Sequence, residues 1–175
     1  MYDNSLKFAA LAETKTNVLS KLQLTTNNYI LCTIHRDNNT DNANRLNELF
    51  ETLNEISTEE NIPVVLPVHP RTSKLLAQQL TANLFHDIKS NQLLKIIPPV
   101  SFLEMIALEK NAKLVMTDSG GVQKEAFFFQ KPCIILRTET EWVELVECGT
   151  AIIADANKKK IKEAYKHFNS GMYNK

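Results

Sequence analysis

Glycine is scarce in this chain, with four among 175 residues. Two of those four are adjacent, Gly120-Gly121, so their placement carries information that glycines in a glycine-rich chain would not. A surplus of either charge is also lacking, because 20 Lys and Arg balance 20 Asp and Glu. Without a basic excess there is no counterion release to drive nucleic-acid binding, and nucleic acid is not an expected partner. No apolar run approaches the ~20 residues that cross a bilayer. Met1 to Glu13 has no basic segment followed by an apolar one, so a cytoplasmic protein with no membrane partner is expected. Cys32, Cys133 and Cys148 are odd in number, lie in or beside apolar segments and lack the paired spacing of a zinc site. Buried reduced thiols are expected, and no metal. There is no internal repeat, low-complexity tract or flexible linker. A composition 43% hydrophobic and 23% charged suits one globular core.

What is present is alternation. Helical spacing of apolar residues from Tyr2 to Leu22 is followed by a buried-type strand, Tyr29 to Thr33. Thr40 or Asp41 is placed to cap a helix whose Leu46, Leu49, Phe50, Leu53 and Ile56 form one stripe. Strand Pro63 to Val68, helix Ser73 to Leu84 and strand Leu93 to Ile97 come next. Ser101 and Glu104 have capping-box spacing ahead of a helix through Phe102, Ile106 and Leu108. Strands Leu114 to Thr117, Cys133 to Leu136 and Thr150 to Ala154 follow, with Gly149 ending a short helix and a final helix over Lys158 to Phe168. About six strands alternating with helices predict an α/β fold, a Rossmann-like doubly wound parallel sheet. In such a sheet ligands sit outside the carboxyl ends of the strands. His35, Arg36, His69, Arg71, Asp118, Ser119 and the loop beginning at Arg137 all fall at predicted carboxyl ends. A histidine at any one of these places is more often a satisfied structural residue; several basic groups on one rim with a glycine turn are harder to explain that way.

That turn lies in Lys113 to Ala126. Leu114 to Met116 read as a strand buried on both faces, and Asp118 or Ser119 can cap the helix carrying Val122 to Phe129. Gly120 and Gly121 leave room for close approach, and backbone N–H groups at a helix start favour a phosphate. Glu125, about one turn in, would repel a phosphate but suits the hydroxyls of a ribose beyond it. The competing explanation is an ordinary capped strand-to-helix turn.

Four segments, taken in order, carry a family resemblance: Thr33-Ile-His-Arg-Asp-Asn-Asn-Thr40, Pro67-Val-His-Pro70, Thr117-Asp-Ser-Gly-Gly-Val-Gln-Lys-Glu-Ala126 and Leu136-Arg-Thr-Glu-Thr-Glu141. Together they resemble the non-hydrolysing UDP-N-acetylglucosamine 2-epimerases. The resemblance covers nearly the whole chain but only the second half of those enzymes. It implies the second domain of a GT-B fold, in which the active site lies between two Rossmann-like domains. Met1-Tyr-Asp-Asn resembles the family's crossover from the first domain, and Gly171-Met-Tyr-Asn the point before its last helix. The expectation is a single C-terminal nucleotide-binding domain over residues 1–175, with the N-terminal domain and last helix absent.

The resemblance assigns roles. Ser119, Gly120, Gly121 and Glu125 are implied to hold the diphosphate and ribose of UDP, with Arg36 and Arg137 beside them. His35 is implied to lie by the phosphates and to matter for turnover, where a cation would stabilise charge on departing UDP. Arg36 and His69 match positions that touch a second, regulatory UDP-sugar in some members. The implied reaction eliminates UDP across C1 and C2 of the sugar and adds it back with C2 inverted; its acid and base carboxylates belong to the other domain. No cofactor is implied, the partners are UDP, a UDP-amino sugar and the missing domain, and the full-length enzyme is expected to be a homodimer. The chain departs from the family at Asn38 and Lys124, where glutamates are usual, and at Thr140-Glu-Trp-Val-Glu144. With His69-Pro-Arg-Thr72, the last is similar to the branch acting on UDP-2,3-diacetamido-glucuronic acid. A GT-B glycosyltransferase domain and a non-catalytic UDP-sugar-binding domain are the other functions weighed.

Overall fold

A computed structural model describes residues 2–171. Met1 and Met172 to Asn174, which enter the expected matches to the family's flanking segments, lie outside the described residues. Six strands form one sheet in the order β3-β2-β1-β4-β5-β6: β1 Ile30–Thr33, β2 Val64–Pro67, β3 Leu94–Ile97, β4 Leu114–Thr117, β5 Cys133–Ile135 and β6 Ala151–Ile153. Every neighbouring pair is parallel, and β1 aligns with β4 from Ile30↔Leu114 to Thr33↔Thr117. The order reverses between β1 and β4. That is the switch point where the loops after two adjacent strands leave toward opposite faces and open a crevice.

Alternation along the strands divides the core into two. Ile30 and Cys32 of β1, Leu114 and Met116 of β4 and Ile134 of β5 pack on one face with helices α4 (Ala43–Glu59), α5 (Pro70–Gln79), α6 (Ala82–Ser90) and α10 (Lys158–Asn169). Leu31, Val115, Cys133 and Ile135 point the other way, toward α1 (Tyr2–Lys15), α7 (Phe102–Asn111), α8 (Gly120–Phe128) and α9 (Val143–Glu147). Strands covered on both faces must be apolar at every position, which is why β1 and β4 read as continuous hydrophobic runs. Two short helices complete the chain, α2 (Val18–Lys21) and α3 (Asp37–Thr40).

The strands match expectation to within a residue or two at their ends; three helical expectations are corrected. The single helix expected from Tyr2 to Leu22 is broken at Thr16-Asn17, where Asn17 leaves the helical region (φ −129°, ψ 29°) and the Thr16 hydroxyl donates to Ala12 O at 2.9 Å. Thr and Asn side chains compete for backbone partners and weaken a helix at such a point. Neither Thr40 nor Asp41 caps α4. Asn42 does, accepting from the Arg45 amide at 3.1 Å, while Thr40 ends α3. The stretch Ser73 to Leu84 is two helices, because Leu80 is extended and Thr81 accepts from the Leu84 amide to start α6. The capping box at Ser101 and Glu104 forms as read. Cys32 and Cys133 are buried, and burial pushes the Cys133 thiol up to about 12. Cys148 is exposed, against expectation, because it lies in the turn after α9 rather than in a strand.

Candidate functional site

Asp118 organises the rim. It is fully buried, and it does not cap α8. Its carboxylate accepts from the His35 amide (3.0 and 3.1 Å), the Arg36 amide (3.0 Å) and Asn39 Nδ2 (3.0 Å). Asn39, also buried, donates in addition to Leu136 O at 3.0 Å, and its Oδ1 accepts from Arg45 Nε. One carboxylate from the end of β4 thereby fixes the chain leaving β1, and through Asn39 the end of β5. Below it the hydroxyls of Thr33 and Thr117 meet at 2.5 Å, and Thr117 Oγ1 accepts from the Ser119 amide at 2.9 Å. Asp118 is thus a structural tie and not a ligand group.

With its backbone held, His35 presents an exposed ring that has no hydrogen-bonding partner among the described residues, and Arg36 is exposed beside it. Ser119 caps α8, its hydroxyl accepting from the Val122 amide. Gly120 and Gly121 occupy the first two helical positions, where amides have no intrahelical acceptor. The two glycines differ. A Cβ on Gly121 would meet only Ser119 Oγ, at 3.8 Å, whereas one on Gly120 would collide with the Glu141 carboxylate. Glu141 arrives on the loop after β5, held by Arg137 Nη1 at 2.7 Å with Arg36 Nη2 at 3.8 Å. Its own backbone amide and those arginines keep its carboxyl below the usual range. The same loop is pinned to α8 by Trp142 Nε1 donating to Gly120 O (2.8 Å) and by the Thr140 hydroxyl donating to buried Gln123 (2.6 Å). Lys124, one of the departures from the family pattern, lies 4.4 Å from the Trp142 ring centre and pairs with Glu144.

Of the residues singled out from sequence, His35, Arg36, Ser119, Gly120, Gly121 and Arg137 therefore meet on one rim. Two stand apart. His69 caps α5, its Nδ1 accepting from the Arg71 amide at 3.2 Å, while Arg71 reaches back to Asp41 (2.7 Å) and Asp37 (3.3 Å). Glu125 is half-buried on α8, within hydrogen-bonding reach of Glu109 on α7 rather than of the arginines. Sequence reasoning did not single out Asn39, Gln123, Glu109, Glu141 or Trp142 as site residues. A signal existed for Glu109, which falls on the helical stripe of Phe102 and Ile106 where an apolar residue belongs. Among the described residues no group of three or more His, Cys, Asp or Glu is placed to hold a metal ion, and no helix is long and apolar enough to cross a membrane.

A parallel sheet of this order, with basic side chains and a glycine-opened helix gathered at its switch point, defines a doubly wound α/β domain that takes its ligand at the carboxyl rim. Comparison with known proteins narrows the class. The family model for UDP-N-acetylglucosamine 2-epimerase matches residues 1–175. A UDP-N-acetylglucosamine 2-epimerase homolog of Methanococcus maripaludis is 46% identical over 97% of this chain and 46% of its own length. The UDP-2,3-diacetamido-2,3-dideoxy-D-glucuronate 2-epimerase of Pseudomonas aeruginosa is 44% identical over 94% of this chain and 42% of its own. The Methanocaldococcus jannaschii UDP-GlcNAc 2-epimerase, solved in complex with UDP-GlcNAc and UDP, superposes with a TM-score of 0.85 at 41% identity, over 95% of this chain and 45% of that one. The chain belongs to the UDP-N-acetylglucosamine 2-epimerase family and spans less than half the length of these relatives.

Proposed function

We propose that this chain is the UDP-binding half of a UDP-amino-sugar 2-epimerase, working with a second, N-terminal domain that closes the cleft and supplies the acid and base carboxylates. The observation that carries this is the convergence on one rim of the His35-Arg36 loop, the Ser119–Gly121 turn and Arg137, held in register by Asp118. The free amides of the turn suit a diphosphate at a helix start, and the two arginines suit its remaining charge. His35, exposed beside them, is placed to stabilise charge on UDP as it leaves C1. Glu125 then takes the ribose hydroxyls farther along α8. The similarity to the P. aeruginosa diacetamido-glucuronate enzyme supports a diacetamido or acetamido sugar as the substrate class.

Titration of the chain with UDP and with inorganic pyrophosphate tests the assignment. UDP is expected to bind weakly but measurably, and Glu125→Ala to weaken UDP at least several-fold while leaving pyrophosphate nearly unchanged. A charge-assisted hydrogen bond is worth roughly 1.5–3 kcal/mol when sheltered and less where water competes. Equal losses for the two ligands would remove Glu125 from the ribose and leave it a helix-shaping residue.

A further inference from the structure

Glu109 is fully buried on α7, yet both of its carboxylate oxygens lack a donor among the described residues. The group within hydrogen-bonding reach is another carboxylate, Glu125 on α8. Two carboxylates cannot bond to each other; one proton between them makes the contact favourable, and burial decides which of the two keeps it. Glu109 is enclosed whereas Glu125 is half-exposed, so the proton belongs on Glu109, where a charge would be least solvated. We propose that Glu109 is a positioning residue, a carboxylic acid that stays neutral and donates its O–H to one oxygen of Glu125, leaving the second oxygen aimed at the ribose.

Among the described residues, the other polar and charged groups around Glu109 have partners of their own. Tyr29, ahead of β1 and close enough to sense a charge on Glu109, gives its hydroxyl to Leu108 O at 2.6 Å. The buried face of α1 toward α7 is Ser5, Ala9 and Ala12 and carries no charge. Glu13 at the end of α1 pairs with Lys110, Lys21 of α2 pairs with Glu104, and Lys124 of α8 with Glu144. Consistent with that isolation, burial first and Glu125 second push the Glu109 carboxyl up to about 10. A donor that never competes with the ligand for water gives Glu125 one orientation, so that ribose recognition does not have to select it from several.

This rests on the ribose reading of Glu125, and the tests keep the two apart. The proton is read directly: the infrared band of a protonated carboxylic acid is expected in the wild-type chain at neutral pH and absent in Glu109→Gln. No such band in the wild type overturns the proposal whatever the ligand does. In binding, Glu109→Gln keeps a donor and is expected to hold UDP within about twofold of wild type. Glu109→Leu removes the donor at similar volume and is expected to lose UDP several-fold with pyrophosphate unchanged. If Glu125→Ala discriminates UDP from pyrophosphate but Glu109→Leu does not, the ribose reading stands and the positioning role falls. If Glu125→Ala fails to discriminate, the ribose reading falls, and with it the purpose assigned to Glu109, while the infrared band still decides who holds the proton.

Discussion

A methyl group added at Gly120 would separate stability from ligand approach. The nearest atoms it would meet are the end of the Glu141 side chain and, at ordinary contact distance, the Trp142 ring nitrogen. A carboxylate end can swing aside, and alanine favours a helix over glycine by up to ~1 kcal/mol. Gly120→Ala is therefore expected to melt close to wild type yet bind UDP about tenfold or more weakly, roughly 1.4 kcal/mol; unchanged affinity by calorimetry would mean that the diphosphate does not approach this residue. Glu109 gives a second residue-scale prediction, this time in pH. Unperturbed, its carboxyl ionises at 4.5; burial first and Glu125 second push it up, to about 10, in the folded chain. Between those values the native state retains a proton that the unfolded state has released. Its contribution is thus whole below the lower value, erodes by up to ~1.4 kcal/mol per pH unit, and is lost above the upper one. Glu109→Gln has no proton to lose, so its advantage over wild type in urea unfolding is expected to widen from about pH 5 to about pH 9. A flat difference would place no buried proton there. Both residues also mark what a sequence can disclose: two adjacent glycines in a chain with four announce a turn, whereas whether Glu109 meets Glu125 depends on how α7 lies on α8, which no local spacing encodes.

At the level of elements, the ties between strand ends matter more than any helix. Asp118 bonds three groups from the β1 end, with distances near 3.0 Å in each case. Asp118→Asn keeps the shape but presents an amide to donors, and is expected to destabilise by about 2–4 kcal/mol. Hydrogen exchange at the His35 and Arg36 amides should accelerate more than at β6; uniform acceleration would mean the tie is not local. The strands were legible because a sheet covered on both faces demands apolar runs, and β1, β2 and β4 supply them. Helix boundaries were less so. Asn42 was overlooked beside Thr40 and Asp41 because all three are cap-forming residues within three positions, and only the path of α3 selects among them. Thr81 was absorbed into one long helix because Leu75, Leu76, Leu80 and Leu84 keep apolar spacing across the break. Asp118 stood beside Ser119 as an alternative cap for a related reason: it is adjacent to the cap, and its true partners are more than 75 residues away in sequence.

For the whole molecule the proposal implies that nucleotide binding and catalysis separate. An epimerase half without its acid and base carboxylates forgoes factors of ~10²–10⁴ for each lost general acid or base. The chain alone is expected to bind UDP but not to invert C2 of UDP-N-acetylglucosamine when followed by NMR; turnover near that of a two-domain relative would refute the division of labour. In an enzyme containing both halves, His35→Ala is expected to lower turnover strongly with little change in melting temperature, since the ring is exposed and bonded to nothing described here. Melting that collapses while the folded fraction stays active would make His35 structural.

Glu141 bears on how such a ligand would enter. Its carboxylate rests against Gly120 between Arg137 and Arg36, an anion at the very turn proposed to take a diphosphate. If UDP docks at that turn, the event is a substitution: one carboxylate departs as a diphosphate arrives, and the arginines change companions without ever standing bare. Much of the electrostatic gain from the incoming phosphates is then offset by the departing one. Affinity for UDP would respond to ionic strength less steeply than two arginines alone would dictate, and loss of Glu141 would tighten binding while leaving the emptied rim less ordered.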